Sequence, residues 1–303
     1  MTPTKFYSWN VNGIRAAEKK GFLDWLAQCG GDVVAVQETK AHPDQLSAAL
    51  LNPIGYRADW SSAEKKGFLD WLAQCQGNIV AVQETKAHPD QLSAAILNPI
   101  GYHAAWSSAE KKGYSGVVTY SKHTPFSVKT GFDDERFDKD GRILISDFDR
   151  FVLFNIYFPN GGRGPEWVKH KLEFYTRFLE VVASYTAKGR SVVATGDVNT
   201  AYAEVDLARP KENVKHSGFM PEERVALGEF FTAGLIDTFR ALHPDEVKYT
   251  WWDMVTRARE RNVGWRLDYF FVTPDLKDRI VAADVHPDVM GSDHCPISLT
   301  LDL

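Results

Sequence analysis

The chain has 303 residues, 44% hydrophobic and 13% aromatic, which is enough for a sizeable core. Its formal net charge of −5 excludes binding of polyanions through overall charge, so a nucleic-acid contact needs a local basic surface. Three cysteines without a CxxC exclude an even disulfide framework, and the absence of any 18-residue apolar run excludes a membrane span.

Met1-Thr2-Pro3-Thr4-Lys5 leads straight into a strand-like segment with no signal-peptide core, so the chain is expected in the cytosol, at the nucleoid if prokaryotic. KFYSWNV reads as a strand, GFLDWLAQC as an amphipathic helix, and DVVAVQE as an apolar run that should be a buried strand. The same helix and strand recur at 67–75 and 78–84. GYSGVVTYSK, RILISDF and RFVLFNIYF follow as strands, then EWVKHKLEFYTRFLEVVASYTAKG as a long helix ended by Gly189. SVVATGDVN is a buried strand with a polar end, and PEERVALGEFFTAG is a helix opened by Pro221 and closed by Gly234. LDYFFVT and PISLTLDL complete the strands. Hairpins mixed with helical crossovers predict an α/β (α+β) sandwich, with mixed β-sheets and helices outside.

The recurrence is a tandem duplication. Residues 63–108 repeat 17–62 with six differences, and a third AEKKG at 109–113 runs into Tyr114-Ser115-Gly116. Two units are too few for a solenoid. Removing one copy leaves 257 residues, so the expectation is one domain over 1–303, with 63–108 as a loop-like insertion that leaves the first copy in the fold. The expelled copy keeps an apolar helix face and a strand without a sheet, a route to self-association in an otherwise monomeric protein.

Polar residues gather at strand ends in apolar text: Asn10 and Asn12 in SWNVNG, Glu38 or its duplicate Glu84 in VQETK, Asp197 and Asn199 in TGDVNT, Asp268 in WRLDYF, and Asp293 with His294 in GSDHCP. One such residue is usually a cap or turn former. Five clusters of oxygen donors with few histidines suit a hard cation, Mg²⁺ or Mn²⁺, rather than zinc. His294 is suited to polarising a phosphoryl oxygen or donating a proton, with Asp268 holding its tautomer. Cys295, beside His294 and before Pro296, reads as a buried structural thiol. The basic-surface candidates are Arg257, Arg259, Arg261, Arg266, Lys169, Lys171, Lys211, Lys215 and the Lys-Lys pairs of AEKKG.

SWNVNGIRA, VQETK, GYSGV, YFPNGGRG, GDVNTA, DLARPKEN, RNVGWRLDYFFV and GSDHCPI together resemble, in order, the motifs of the exonuclease III / apurinic-apyrimidinic (AP) endonuclease family. The resemblance implies a DNase I-like four-layer sandwich of two sheets packed face to face. It also implies a DNA-repair hydrolase cutting the phosphodiester 5′ to abasic sites in double-stranded DNA, with 3′–5′ exonuclease and 3′-end trimming, dependent on Mg²⁺ or Mn²⁺. By resemblance Glu38 (or Glu84), Asn10, Asn12 and Asp293 surround the metal. Asp197, helped by Asn199, activates or aligns the attacking water, Asp268 orients His294 against the phosphate, and Tyr157 hydrogen-bonds the phosphate or assists the leaving group. Arg15, Lys40, Tyr114, Arg142, Asn160, Arg163 and Asn213 fall along the phosphate path. Trp251, Trp265 and Leu267 resemble a pocket for a flipped abasic sugar, set against an ordinary core role for the tryptophans. The alternatives are a phosphatase acting on a small phosphorylated substrate, disfavoured by DLARPKEN and NVGWR, and a DNA-binding protein made inactive by the duplication.

Overall fold

The computed structural model describes residues 4–10, 14–30, 33–37, 47, 79–83, 103–111, 114–121, 123–288, 293–295 and 297–303. In chain order these form β1 (Thr4–Asn10), α1 (Ile14–Glu18), α2 (Phe22–Gln28), β2 (Val33–Gln37), β3 (Ile79–Gln83), β4 (His103–Ser107), β5 (Val117–Ser121) and β6 (Ser127–Thr130). Next come α3 (Glu135–Asp138), β7 (Ile143–Asp147), β8 (Val152–Ile156), α4 (Pro165–Thr186), β9 (Val192–Asp197), α5 (Pro210–Asn213) and α6 (Pro221–Thr232). The last are β10 (Ile236–Asp237), α7 (Thr238–Leu242), β11 (Trp251–Trp252), β12 (Gly264–Trp265), β13 (Asp268–Val272), β14 (Ile280–Val285) and β15 (Ile297–Leu301).

Among the described residues one sheet runs β14-β15-β1-β2-β3-β5-β4, a second β10-β13-β9-β8-β7-β6, and β11 and β12 form a small ribbon. Side-chain alternation in the second sheet explains its two packed faces. Phe154, Ile156, Ala194, Tyr269 and Phe271 join Phe174, Phe178 and Val182 of α4 and Leu227 and Phe230 of α6 in one core. The intervening Leu153, Val193, Phe270 and Val272 meet Val285, Ile297, Leu299 and Leu301 of the first sheet in another. On the far side of the first sheet, the Tyr7 ring meets Trp25 of α2 edge-on at 5.4 Å and its hydroxyl donates to the Cys29 carbonyl at 2.7 Å. The layers are helix, sheet, sheet, helix.

The second copy is not a loop-like insertion over its described residues. Its Ile79–Gln83 is β3 and its His103–Ser107 is β4, both inside the first sheet. β2 runs parallel to β1, with Asn10 beside Gln37; β3 runs parallel to β2, with Val33 beside Ile79; β5 then closes antiparallel on β3. An expelled strand would leave its backbone N–H and C=O groups without ladder partners, whereas this place pairs both of its edges. Apart from Ser108, the remainder of the duplicate lies outside the described residues, including the helix expected at 67–75.

A buried ionic network joins the loops at one end of the second sheet. Arg266 places Nε 2.7 Å from Asp206 and a terminal nitrogen 2.7 Å from Asp237, and Arg240 Nε reaches Asp206 at 3.1 Å. Arg266 is therefore part of the interior and no basic surface, in contrast to the expectation from sequence. Burial alone would raise the Asp206 pKa, but Arg266 and then Arg240 hold it below the ordinary carboxylate value.

Because this folded pKa is lowered, its stabilisation is complete above the unfolded value near pH ~4 and is lost as pH falls through the folded value. Asp206→Asn, which leaves Arg240 and the buried Arg266 sharing one carboxylate fewer, is expected to destabilise by about 3–5 kcal/mol at neutral pH. In urea melts that deficit should shrink at pH ~3; an undiminished deficit would refute the linkage. The extra strand also widens the first sheet by about 4.8 Å, while β1 still faces β9 and β5 faces β8 and β7. Deleting 63–108 should relieve that mismatch and raise the melting temperature by about 2–4 °C per kcal/mol gained. A lower melting temperature would show that the added strand stabilises the fold.

Candidate active site

The site lies where β9, β13 and the chain before β15 end together. β9 and β13 are antiparallel with Asp197 directly opposite Asp268, so both carboxylates sit at the end of the face packed between the sheets. Just before Asp197, Gly196 lets β9 lie close against the end of β8: its φ is +150°, and a Cβ there would lie 1.9 Å from the Ile156 carbonyl oxygen. Asp268 is fixed through its backbone, since Thr250 Oγ1 accepts from the amides of Leu267 at 2.9 Å and Asp268 at 3.1 Å.

His294 is buried and places Nδ1 2.8 Å from Asp268 Oδ2. The other carboxylate oxygen of Asp268, also buried, has no hydrogen-bond partner among the described residues. Burial by itself would depress the imidazole pKa. Asp268, reinforced by Asp197 and Asp293, overcomes that effect and lifts it to about 10, so in this arrangement His294 is a cation at neutral pH. Nδ1 is then a donor to the carboxylate, and Nε2 is the second donor of the ring.

Asp197 is organised by Asn199. The Asn199 backbone amide donates to Asp197 Oδ1 at 2.8 Å, and its side-chain amide donates to Oδ2 at 3.1 Å and to the Phe158 carbonyl at 3.2 Å. Asn199 adopts a left-handed φ of +59°, which Asn tolerates better than most residues. Asn160 Nδ2 donates to Asn199 Oδ1 at 2.7 Å and Asn160 Oδ1 accepts from Gly162 N at 2.6 Å, which extends the chain of amides to the surface.

Asn160, Asp197, Asn199 and His294 line a cavity of about 650 Å³ with Tyr157, Asn213, Asp293, Trp251, Trp265 and Leu267. Trp251 and Trp265 pair across the β11-β12 ribbon, their rings 6.4 Å apart and nearly perpendicular. Trp251 Nε1 donates to Asp293 Oδ2 at 3.2 Å, so an aromatic wall and an acid of the site share one hydrogen bond. Both tryptophans are half-buried and Leu267 is buried, so they are a cavity wall with its back to the core.

Of the phosphate-path residues, Arg163 is exposed over the Trp167 ring, Arg15 is exposed on α1, and Asn213 Nδ2 donates to the Arg209 carbonyl at 3.0 Å. Arg142 is buried, with Nε 2.7 Å from Asp140 and its guanidinium against the rings of Tyr157 at 4.7 Å and Tyr114 at 5.3 Å. It braces the two tyrosines. Asn10 ends β1, while Asn12, Glu38, Glu84 and Lys40 lie outside the described residues. Cys295 is fully buried, and burial pushes its thiol pKa up, away from nucleophilic use.

Sequence reasoning missed Arg209, Glu212, His216 and Ser217, which line the cavity from the loops around α5. It also placed Lys171 on the surface, where the structure buries it completely against Glu223. The signal was available: Lys171 falls in register with Val168, Phe174, Tyr175 and Phe178 on the buried stripe of α4.

The profile of the Endonuclease/Exonuclease/phosphatase family matches residues 7–62 and 57–294, two matches that meet at the seam between the copies. An exodeoxyribonuclease of Bacillus subtilis is 39% identical over 301 residues, covering 99% of this chain and 100% of that protein. The DNA repair nuclease APEX1 of Danio rerio is 39% identical over 299 residues, covering 98% of this chain and 82% of that one. An AP endonuclease structure from Archaeoglobus fulgidus superposes with a TM-score of 0.71 at 25% identity, covering 99% of this chain and 100% of that chain. With this fold, this site and relatives that span its length, the chain belongs to the exonuclease III / AP endonuclease branch of the Endonuclease/Exonuclease/phosphatase family and is a hydrolase of the nuclease type.

Proposed function

We propose that the chain hydrolyses the phosphodiester 5′ to abasic sites in duplex DNA and trims 3′ ends, acting as a cytosolic monomer with a divalent cation, Mg²⁺ or Mn²⁺. The observation that carries this reading is the juxtaposition, in one cavity, of Asp197 and His294 with the wall of Trp251, Trp265 and Leu267, His294 being held by Asp268. Acid, cation and apolar wall answer three needs: a water to activate, a phosphoryl charge to stabilise, and a sugar without a base to accept.

Asp197 accepts a proton from the attacking water while Asn199 keeps the carboxylate oriented. The new P–O bond forms as the bond to the 3′ oxygen breaks, and that oxygen leaves as a hydroxyl with a proton supplied by Tyr157. His294, positive and tied to Asp268, donates Nε2–H to a non-bridging oxygen as charge builds there. Asp268 holds the ring and its tautomer.

The donor set fits a hard cation, since it offers carboxylate and amide oxygens without thiolates. Among the described residues no cluster of three or more His, Cys, Asp or Glu could hold a metal by itself. Asp293 and Asn10, with Asn12 and one duplicated glutamate, would hold the ion. When bound it supplies Lewis-acid stabilisation of the phosphoryl oxygens. Strand order supports Glu38 for that position: Gln37, which precedes it, pairs with Asn10 at the end of β1, whereas Gln83, which precedes Glu84, lies opposite Val117 of β5.

A duplex carrying one stable abasic analogue should be cut 5′ to the lesion in Mg²⁺ and left intact in EDTA. Binding without cleavage would instead favour an inactive DNA-binding protein. On that substrate Glu38→Gln should lower kcat at least about 10²-fold, with Glu84→Gln staying near wild type; equal losses would sink the single-copy assignment. Asp268→Asn should keep DNA affinity and lower kcat by about 10²–10⁴-fold, since it removes the charge and orientation His294 relies on. A wild-type rate would remove His294 from the chemistry.

A further inference from the structure

Beneath the loop carrying Asp197 and Asn199 lies a buried cation that the hydrolytic scheme does not use. Lys171 Nζ, fully buried on α4, donates to the Asn199 carbonyl at 2.6 Å and to Glu223 Oε1 at 2.8 Å. One turn further along the same helix, the Tyr175 hydroxyl donates to the Val198 carbonyl at 2.5 Å and shares a hydrogen bond with Thr200 Oγ1 at 2.9 Å. The Tyr269 hydroxyl holds the Thr200 carbonyl at 2.8 Å. Three successive carbonyls are thus clamped from below, and the middle one belongs to the residue whose left-handed backbone aims both its amides at Asp197.

The same ion pair reaches the facing wall of the cavity. Glu223 accepts from Ser217 Oγ at 2.9 Å, from Gly218 N at 2.5 Å and from Met220 N at 3.2 Å. Ser217 and Gly218 line the cavity. A Cβ at Gly218 would lie 3.2 Å from both the Trp265 ring and the Asn199 carbonyl oxygen, so wall and loop are in close contact.

We infer that Lys171 is a positioning residue for phosphodiester hydrolysis, holding Asn199, and through it Asp197, in the geometry that activates water, while its partner Glu223 sets the opposite wall. A buried ion pair is a weak source of stability compared with an apolar pair of similar volume. Its value lies in fixing geometry, and a misplacement of about 1 Å can cost about 10²-fold in rate. The inference rests on the hydrolytic role given to Asp197 above.

The test compares the wild-type chain with Lys171→Met/Glu223→Gln, which removes both charges together and leaves a side-chain carbonyl for Ser217 and Gly218. The double variant should fold, bind the abasic duplex with KM within about threefold of wild type, and lose about 10- to 100-fold in kcat. A folded double variant with wild-type kcat overturns the inference. If it does not fold, Tyr175→Phe decides, because it removes only the neighbouring donor: a kcat loss of about 3- to 10-fold at unchanged KM supports the clamp, and unchanged kcat overturns it. Backbone amide exchange at Asn199, read by NMR, adds a measure independent of turnover. Protection there should fall in the variants, and full retention overturns the inference whether or not the wild-type chain cuts abasic DNA. Failure of the wild-type chain to cut the duplex counts against the hydrolytic reading alone.

Discussion

Two carboxylates facing each other across one antiparallel pairing, Asp197 on β9 and Asp268 on β13, set the terms for the rest of this molecule. They stand at the ends of largely apolar strand faces packed between the sheets, where an uncompensated charge is costly. Each is answered differently. Asp268 receives His294, and the ring takes on positive charge because the acid is beside it. Asp197 receives the two amides of Asn199, which require a left-handed backbone, which in turn is held by donors from α4 and β13. The arrangement at the candidate site is the solution to a burial problem, and the same contacts that make the carboxylates tolerable aim them.

The duplication shows how a sheet can absorb a change that a helical core would resist. A strand inserted parallel and in register finds a ladder on both edges. The added width falls between β1 and β5. Nearly all of the site, from Tyr157 to His294, comes from the chain after the second copy and is built on the second sheet and its loops.

The long elements were legible because periodicity and end signals agreed. α4 was readable from its apolar stripe and Gly189, and β8, β9 and β13 from apolar runs ending in polar residues. The short elements were not. β10, β11 and β12 have two residues each, too few for any period, and they exist because neighbouring backbone is presented to them. Lys171 and Arg266 were read as surface cations from residue type, and Arg142 as DNA-facing from the family resemblance. All three are buried beside carboxylates, those of Lys171 and Arg266 contributed by distant parts of the chain and that of Arg142 by Asp140, two residues before it.

Sequence alone determined the family, the inventory of acids, amides and the histidine, and the strands they end, since these follow from motif order and local hydrophobic pattern. Tertiary structure alone decided which of those groups meet and what charge they carry. Asp197 faces Asp268 because β9 and β13 pair in that register, and His294 is lifted in pKa because three acids converge around it. It also decided the place of the second copy. Two nearly identical strands carry no local instruction as to which should pair with β1 and which with β5, and the ladder on both edges settled it.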